Sequence, residues 1–207
     1  MPSTRLFPAF LRLEDRPVLL VGAGLVAAAK LPALLEAGAR VTVVAPEIRS
    51  ELVRPEVRLV RRGFQPSDLD SVWFAVAAAP PEVNRAVREA AEARRVFLNA
   101  ADDPAAASVY LGGVVRRAGV TLAISTGGRA PALAGLLREA LDALLPEDLG
   151  DWVTLADRLR ERWREDRVPF ADRRPLLLQA LLRKYGVGYA ASAAGAAALP
   201  APARSAP

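Results

Sequence analysis

The sequence predicts an α/β protein built on a doubly wound parallel sheet. Three observations predict it. Short apolar runs alternate with helix-like segments through the first hundred residues. The first run ends at a glycine-punctuated turn, Gly22-x-Gly24. A β-branched second run follows after one helix length, the order that a strand–helix–strand unit requires.

The elements follow in order. Val18–Val21 is apolar throughout and ends at Gly22, as suits a central parallel strand. Leu25–Ala37 has helical character and stops at Gly38. The run "VTVVA", residues 41–45, is a second strand closed by Pro46, and residues 57–60 form a short third. Residues 72–78, "VWFAVAA", are a fourth buried strand, and Pro80-Pro81 opens a helix over 82–93. Residues 96–99 make a fifth strand.

After Asp102-Asp103-Pro104 the pattern changes. Residues 108–116 and 120–125 read as two strands joined by the hairpin-like "RRAG". A helix over 131–145 places Leu133, Leu136, Leu137, Leu141, Leu144 and Leu145 on one face. Residues 151–167 and 174–185 are two further amphipathic helices. From residue 190 the Ala/Pro/Ser composition predicts a disordered tail.

Composition narrows the chemistry. The 207 residues contain no cysteine and no histidine, which excludes disulfides, thiolate nucleophiles, Cys-type zinc sites and an imidazole base. Proton transfer must fall to Asp, Glu, Lys, Tyr or water. Apolar residues make up 52% and aromatics 6%, so the core is aliphatic. No apolar run reaches the ~18 residues of a membrane span, and residues 1–10 lack a signal-peptide pattern, so no membrane partner is expected and the chain reads as soluble and cytoplasmic. The net charge is +5, and all but Lys30 and Lys184 of the 28 basic residues are Arg. Acidic residues are interspersed among them without basic–aromatic interleaving, so nucleic-acid binding is not expected.

The glycine turn sits in the setting that makes such a motif meaningful, with a strand before it and a helix after it. Gly22 permits the tight turn, and Gly24 lets backbone N–H groups approach a pyrophosphate at the helix N-terminus. Ala27 replaces the usual third glycine at a packing position that needs only a small residue. The second strand ends Val44-Ala45-Pro46-Glu47, so Glu47 is the nearest acid for the ribose hydroxyls of NAD. Arg49 would instead suit a 2′-phosphate; NAD is favoured.

Two further segments carry chemistry. "NAADDPAAAS", residues 99–108, puts Asp102 and Asp103 just beyond the carboxyl end of the fifth strand, where ligands collect in such sheets; a solvated Asp-Asp-Pro turn is the alternative. "STGGRAP", residues 125–131, sets Thr126, two glycines and Arg129 before a helix N-terminus, as an anion cradle or an ordinary capped loop.

Taken together and in this order, "LFPAFLRLEDRPVLLVGAG", "LLEAGARVTVVAP", "FLNAADDPAAAS" and "AISTGGRAPALAGLLREAL…LLP" resemble the precorrin-2 dehydrogenase/sirohydrochlorin ferrochelatase family, the NAD-dependent part of siroheme synthase. The resemblance spans roughly residues 4–186, and its last segment is the most specific. It implies NAD-dependent oxidation of precorrin-2 to sirohydrochlorin for siroheme or cobalamin synthesis. In some members it also implies insertion of Fe²⁺ or Co²⁺ into the product. It places the important acid on Asp102 rather than Asp103, the cofactor contacts on the glycine turn with Leu25 and Val26 and on Pro46 and Glu47, and a substrate-pocket hydroxyl on Thr126. It also implies a homodimer.

The expected organisation is a Rossmann-like NAD-binding domain over 1–112, a small α+β dimerisation region over 113–147, a helical region over 148–189 and a tail over 190–207. No methyltransferase domain is expected to follow. Asp102 would act as general base, and Arg129, with Arg116, Arg117 and Arg138, would meet the substrate's carboxylates. The macrocycle brings its own four nitrogen ligands, so no protein metal site is expected. Two departures stand out. "AAAPPEVN" replaces the family's usual Ala-Thr-Asp/Asn-Asp and loses a hydroxyl at Ala79. Gly112-Gly113 stands where the family often has proline and is expected to loosen the chain there. The rival reading from another class is a non-catalytic NAD(H)-sensing module, disfavoured because too little chain precedes the first strand to form a winged helix.

Overall fold

The computed structural model describes residues 6–101, 103 and 107–185. These divide into two compact units, one within Met1–Gly113 and Ile124–Leu137, the other within Val114–Ala123 and Arg138–Pro207.

The first unit is organised by a five-stranded sheet. Its strands are β1 (Pro17–Val21), β2 (Arg40–Val44), β3 (Arg58–Val60), β4 (Phe74–Ala77) and β5 (Phe97–Ala100), in the order β3-β2-β1-β4-β5. Every pairing is parallel, with Val18 level with Val41 on one side and Phe74 on the other. The chain starts at β1, winds outward through β2 and β3, then crosses back to β4. The reversal leaves a crevice at the carboxyl ends of β1 and β4.

Both faces of the sheet are covered, which explains why its strands read as unbroken apolar runs. Alternate residues diverge: Val18, Leu20, Val41, Val43 and Phe74 pack with Ala27, Leu31 and Leu34 of helix α1 (Leu25–Glu36). Leu19, Val21, Ala75, Ala77 and Leu98 pack with Val87, Ala90 and Ala91 of helix α2 (Pro81–Arg94). The expected doubly wound architecture is therefore present. Helix α1 ends at Gly38, whose φ of +74° suits a C-terminal stop.

Strand boundaries differ at two places, each for a local reason. β4 begins at Phe74 because Val72 donates its N–H to the Leu69 carbonyl, closing a turn there. β6 spans Gly113–Arg117 and so starts five residues later than the apolar pattern suggests. Ser108 and Val109 both donate their N–H groups to the Leu98 carbonyl, and Asn99 donates its Nδ2 to the Val109 carbonyl at 2.9 Å. That segment is tied to β5 rather than to a hairpin. At Gly112-Gly113 the glycine has a steric reason. A Cβ on Gly112 would lie 1.8 Å from the Ile124 carbonyl oxygen, so glycine permits a close backbone approach there.

In the second unit, β6 pairs with β7 (Val120–Ile124) in a two-stranded ribbon. Helix α3 (Pro131–Leu144) begins in the first unit and ends in the second. Arg117 on β6 donates to the Leu145 carbonyl at 2.9 Å and pairs with Asp142 at 2.8 Å. Helix α4 (Leu149–Glu165) packs with α5 (Phe170–Tyr185). α5 starts before the expected residue 174: Pro175 lies inside it, and Arg173 reaches back to the Val168 carbonyl at about its first turn. No helix among the described residues is long and apolar enough to cross a membrane.

Candidate functional site

A cleft of about 750 Å³ lies at the carboxyl edge of the sheet in the first unit. Four connections build its wall. The β1–α1 turn contributes Gly22 and Gly24, the segment after β2 contributes Pro46 to Arg49, the segment after β3 contributes Gly63 and Phe64, and the β4–α2 turn contributes Ala78 to Pro80.

The β1–α1 turn needs its first glycine on two counts. Gly22 has φ +96°, and a Cβ there would lie 2.2 Å from the Ala78 carbonyl oxygen. Gly24, by contrast, has nothing within 4 Å of where its Cβ would stand. It caps α1 without any side-chain hydrogen bond, and the first turn holds no acid. The first N–H groups of a helix have no intrahelical partner, so this uncapped end presents donors and partial positive charge to an anion. Ala27 is fully buried against the sheet, as expected of a packing position.

The segment after β2 carries the cleft's charge. Glu47 and Arg49 both line it. Arg49 donates through Nη2 to Glu51 Oε1 at 2.8 Å and through Nε at 3.3 Å, and the Ser50 hydroxyl donates to Oε2 at 3.1 Å. The Arg49 guanidinium, then the Glu51 backbone and the Ser50 hydroxyl, hold the Glu51 carboxyl down at about 2. It is ionised throughout the neutral range.

The β4–α2 turn is held from inside: the Ala79 N–H donates to Asn84 Oδ1 at 3.0 Å. The hydroxyl missing at Ala79 is thus accompanied by a side-chain brace from the helix that follows.

Of the expected cofactor contacts, Gly22, Gly24, Pro46 and Glu47 line one cleft. Leu25 and Val26 do not line it; both are exposed on the first turn of α1. Asp102 lies outside the described residues. Asp103 is exposed, and Asn99, at the end of β5, is buried. Thr126 and Arg129 stand apart from the cleft lining, in the loop before α3. There Thr126 Oγ1 accepts from the Ala130 N–H and Ser125 Oγ from the Gly127 N–H, each at 3.1 Å. Gly127 and Gly128 supply the positive φ this loop requires. Arg129 is exposed, whereas Arg117 is engaged by Asp142. Among the described residues no group of three or more acids gathers to hold a metal ion. Residues missed by sequence reasoning are Phe64, Ala78 and Pro80. The available signal was their place just after β3 and β4, at the ligand edge of a parallel sheet.

A parallel sheet ordered 3-2-1-4-5, with a glycine turn and an uncapped helix at its crevice, defines a dinucleotide-binding α/β protein. Residues 9–113 match the family model NAD_binding_7, described as putative NAD(P)-binding, and the chain belongs to that family. The expected NAD cofactor accords with this membership. The chain is 43% identical over 172 residues to siroheme synthase 3 of Aeromonas hydrophila subsp. hydrophila, covering 81% of this chain and 37% of that protein. It is 44% identical over 172 residues to siroheme synthase 2 of Cronobacter sakazakii, covering 81% and 38%. The chain therefore spans under two fifths of the length of these curated relatives. It is also similar to the solved structure of SirC, precorrin-2 dehydrogenase, with a TM-score of 0.66 and 26% identity over 84% of this chain and 88% of that one.

Proposed function

We propose that this chain is an NAD-dependent oxidoreductase of the cytoplasm that converts precorrin-2 to sirohydrochlorin. The observation that carries the reading is fold similarity to a precorrin-2 dehydrogenase over most of both chains, joined to a dinucleotide-type cleft.

NAD, when bound, supplies the hydride acceptor. The chain's residues fit such a group: the uncapped start of α1 and the open space at Gly24 suit a pyrophosphate, and Glu47 suits the ribose hydroxyls. Leu25, Val26 and Pro46 complete the contact surface in this reading. Asp102 is the general base that takes the substrate proton, a role that falls to a carboxylate in a chain without histidine. Thr126 offers a hydroxyl to the substrate and Arg129 meets a carboxylate. A second copy of the chain covers the leucine stripe of α3, where Leu133, Leu136 and Leu144 are each about half exposed or more.

Asp102→Asn tests the chemistry. It is expected to slow sirohydrochlorin formation by about 10²–10⁴-fold while leaving NADH binding within twofold, roughly the loss that follows removal of a general base. An unimpaired rate would remove Asp102 from the mechanism. Adding Fe²⁺ or Co²⁺ to the same assay, against a protein-free control, decides whether the chain also metallates its product.

A further inference from the structure

The charge pattern beside β2 is more specific than dinucleotide binding requires. A 2′-phosphate-bearing cofactor is normally met near the end of the second strand by an arginine, and a 2′-hydroxyl by an acid. This chain places both kinds of group on one cleft wall, Glu47 and Arg49, two residues apart. Taken alone, Arg49 would offer a planar fork for a phosphate.

Arg49 is not alone. It begins a short 3₁₀ turn over Ser50–Leu52, anchored by the fully buried Leu52 and by the Leu52 N–H donating to the Arg49 carbonyl at 3.1 Å. The turn brings Glu51 back onto the guanidinium, where one carboxylate oxygen accepts from both Nε and Nη2. The other oxygen accepts from Ser50, so the carboxylate is held as well as the arginine. Glu51 itself does not line the cleft. A fork already occupied by a carboxylate, with Glu47 beside it, leaves this corner net negative and ill suited to a dianion.

We infer that Glu51 sets cofactor choice, by occupying Arg49 so that the cleft accepts a 2′-hydroxyl and rejects a 2′-phosphate. The inference rests on the proposed dinucleotide site and adds to it a specificity residue that never touches the cofactor. Glu51 is a positioning residue acting through Arg49. The 2′-phosphate is discriminated against by a competing ligand inside the protein, and the arginine that could bind it is already present.

Calorimetric titration with 5′-AMP and 2′,5′-ADP reads this directly, since the two fragments differ only by the 2′-phosphate. Glu51→Gln is expected to tighten 2′,5′-ADP about fivefold relative to 5′-AMP, the size of one exposed charge-assisted contact. Arg49→Gln in the Glu51→Gln background is expected to abolish that gain. An unchanged ratio in Glu51→Gln, or a gain that persists without Arg49, overturns the inference while leaving the dinucleotide site standing. Failure of wild type to bind NADH or either fragment overturns the site and this inference together.

Discussion

The two units of this chain solve the burial problem differently. In the first, β1 is buried on both faces and Leu31, Val43, Ala75 and Val76 are fully shielded. In the second, only Val115 and Leu149 among the described residues are buried. Its helices are amphipathic, yet Leu144, Phe170 and Leu178 remain exposed. The first unit carries its own core. The second presents apolar surface that a single copy of the chain does not cover, and a proposed homodimer supplies the missing layer.

That contrast predicts unequal responses to mutation. Leu31→Ala opens a cavity in the layer between α1 and the sheet, where Leu31 is fully buried, and is expected to destabilise the folded chain by about 3 kcal/mol in urea unfolding. A loss below about 1 kcal/mol would mean that this layer is loosely packed.

The next effect is electrostatic and also lies in the first unit. Arg62 donates to Asp68 through Nη1 at 2.8 Å, and Asp68 accepts from the Gln65 N–H at 2.8 Å to cap a 3₁₀ turn at Pro66–Leu69. The guanidinium foremost, with the Gln65 N–H, holds the Asp68 carboxyl below its ordinary value. A carboxyl lowered in the folded state stabilises folding above the unfolded value of about 3.9, and that contribution fades as pH falls through the lower folded value. Asp68→Asn is therefore expected to cost about 1 kcal/mol at pH 7, with the difference from wild type shrinking below about pH 4. A constant difference across that range would assign the cost to lost packing instead.

The smallest stability effect belongs to the exposed apolar face of α3, the helix that begins in the first unit and ends in the second. Leu136→Arg, at a position 63% exposed, is expected to change unfolding free energy by no more than about 0.5 kcal/mol in the monomer. It is expected to shift sedimentation toward the monomer if α3 forms the homodimer contact. A dimer of unchanged strength would place the interface elsewhere.

Much of the first unit was legible because its signals are local. Gly22 and Gly38 bracket α1, and β1 and β2 are apolar runs of strand length. The stretch from Ser108 to Leu111 was misread for the opposite reason. Its apolar residues look like a strand, but their backbone partner is Leu98, ten residues away and reachable only through β5. The start of α5 was missed because Pro175 marks a favoured first-turn position, and the Arg173 bond to Val168 cannot be read from spacing. The site divided in the same way. Gly22, Gly24 and Glu47 are visible from their order along the chain. Phe64 and Ala78 belong to the cleft only because the sheet order sets the ends of β3 and β4 beside β2 and β1.

The cleft of the first unit is proposed to serve the oxidation of a reduced tetrapyrrole. Purified protein mixed with precorrin-2 and NAD, followed for NADH and sirohydrochlorin together, tests it most directly. One NADH is expected for each sirohydrochlorin over repeated turnovers. Tight NADH binding with no sirohydrochlorin above the protein-free rate would contradict it, and would leave a nucleotide-sensing module as the better description.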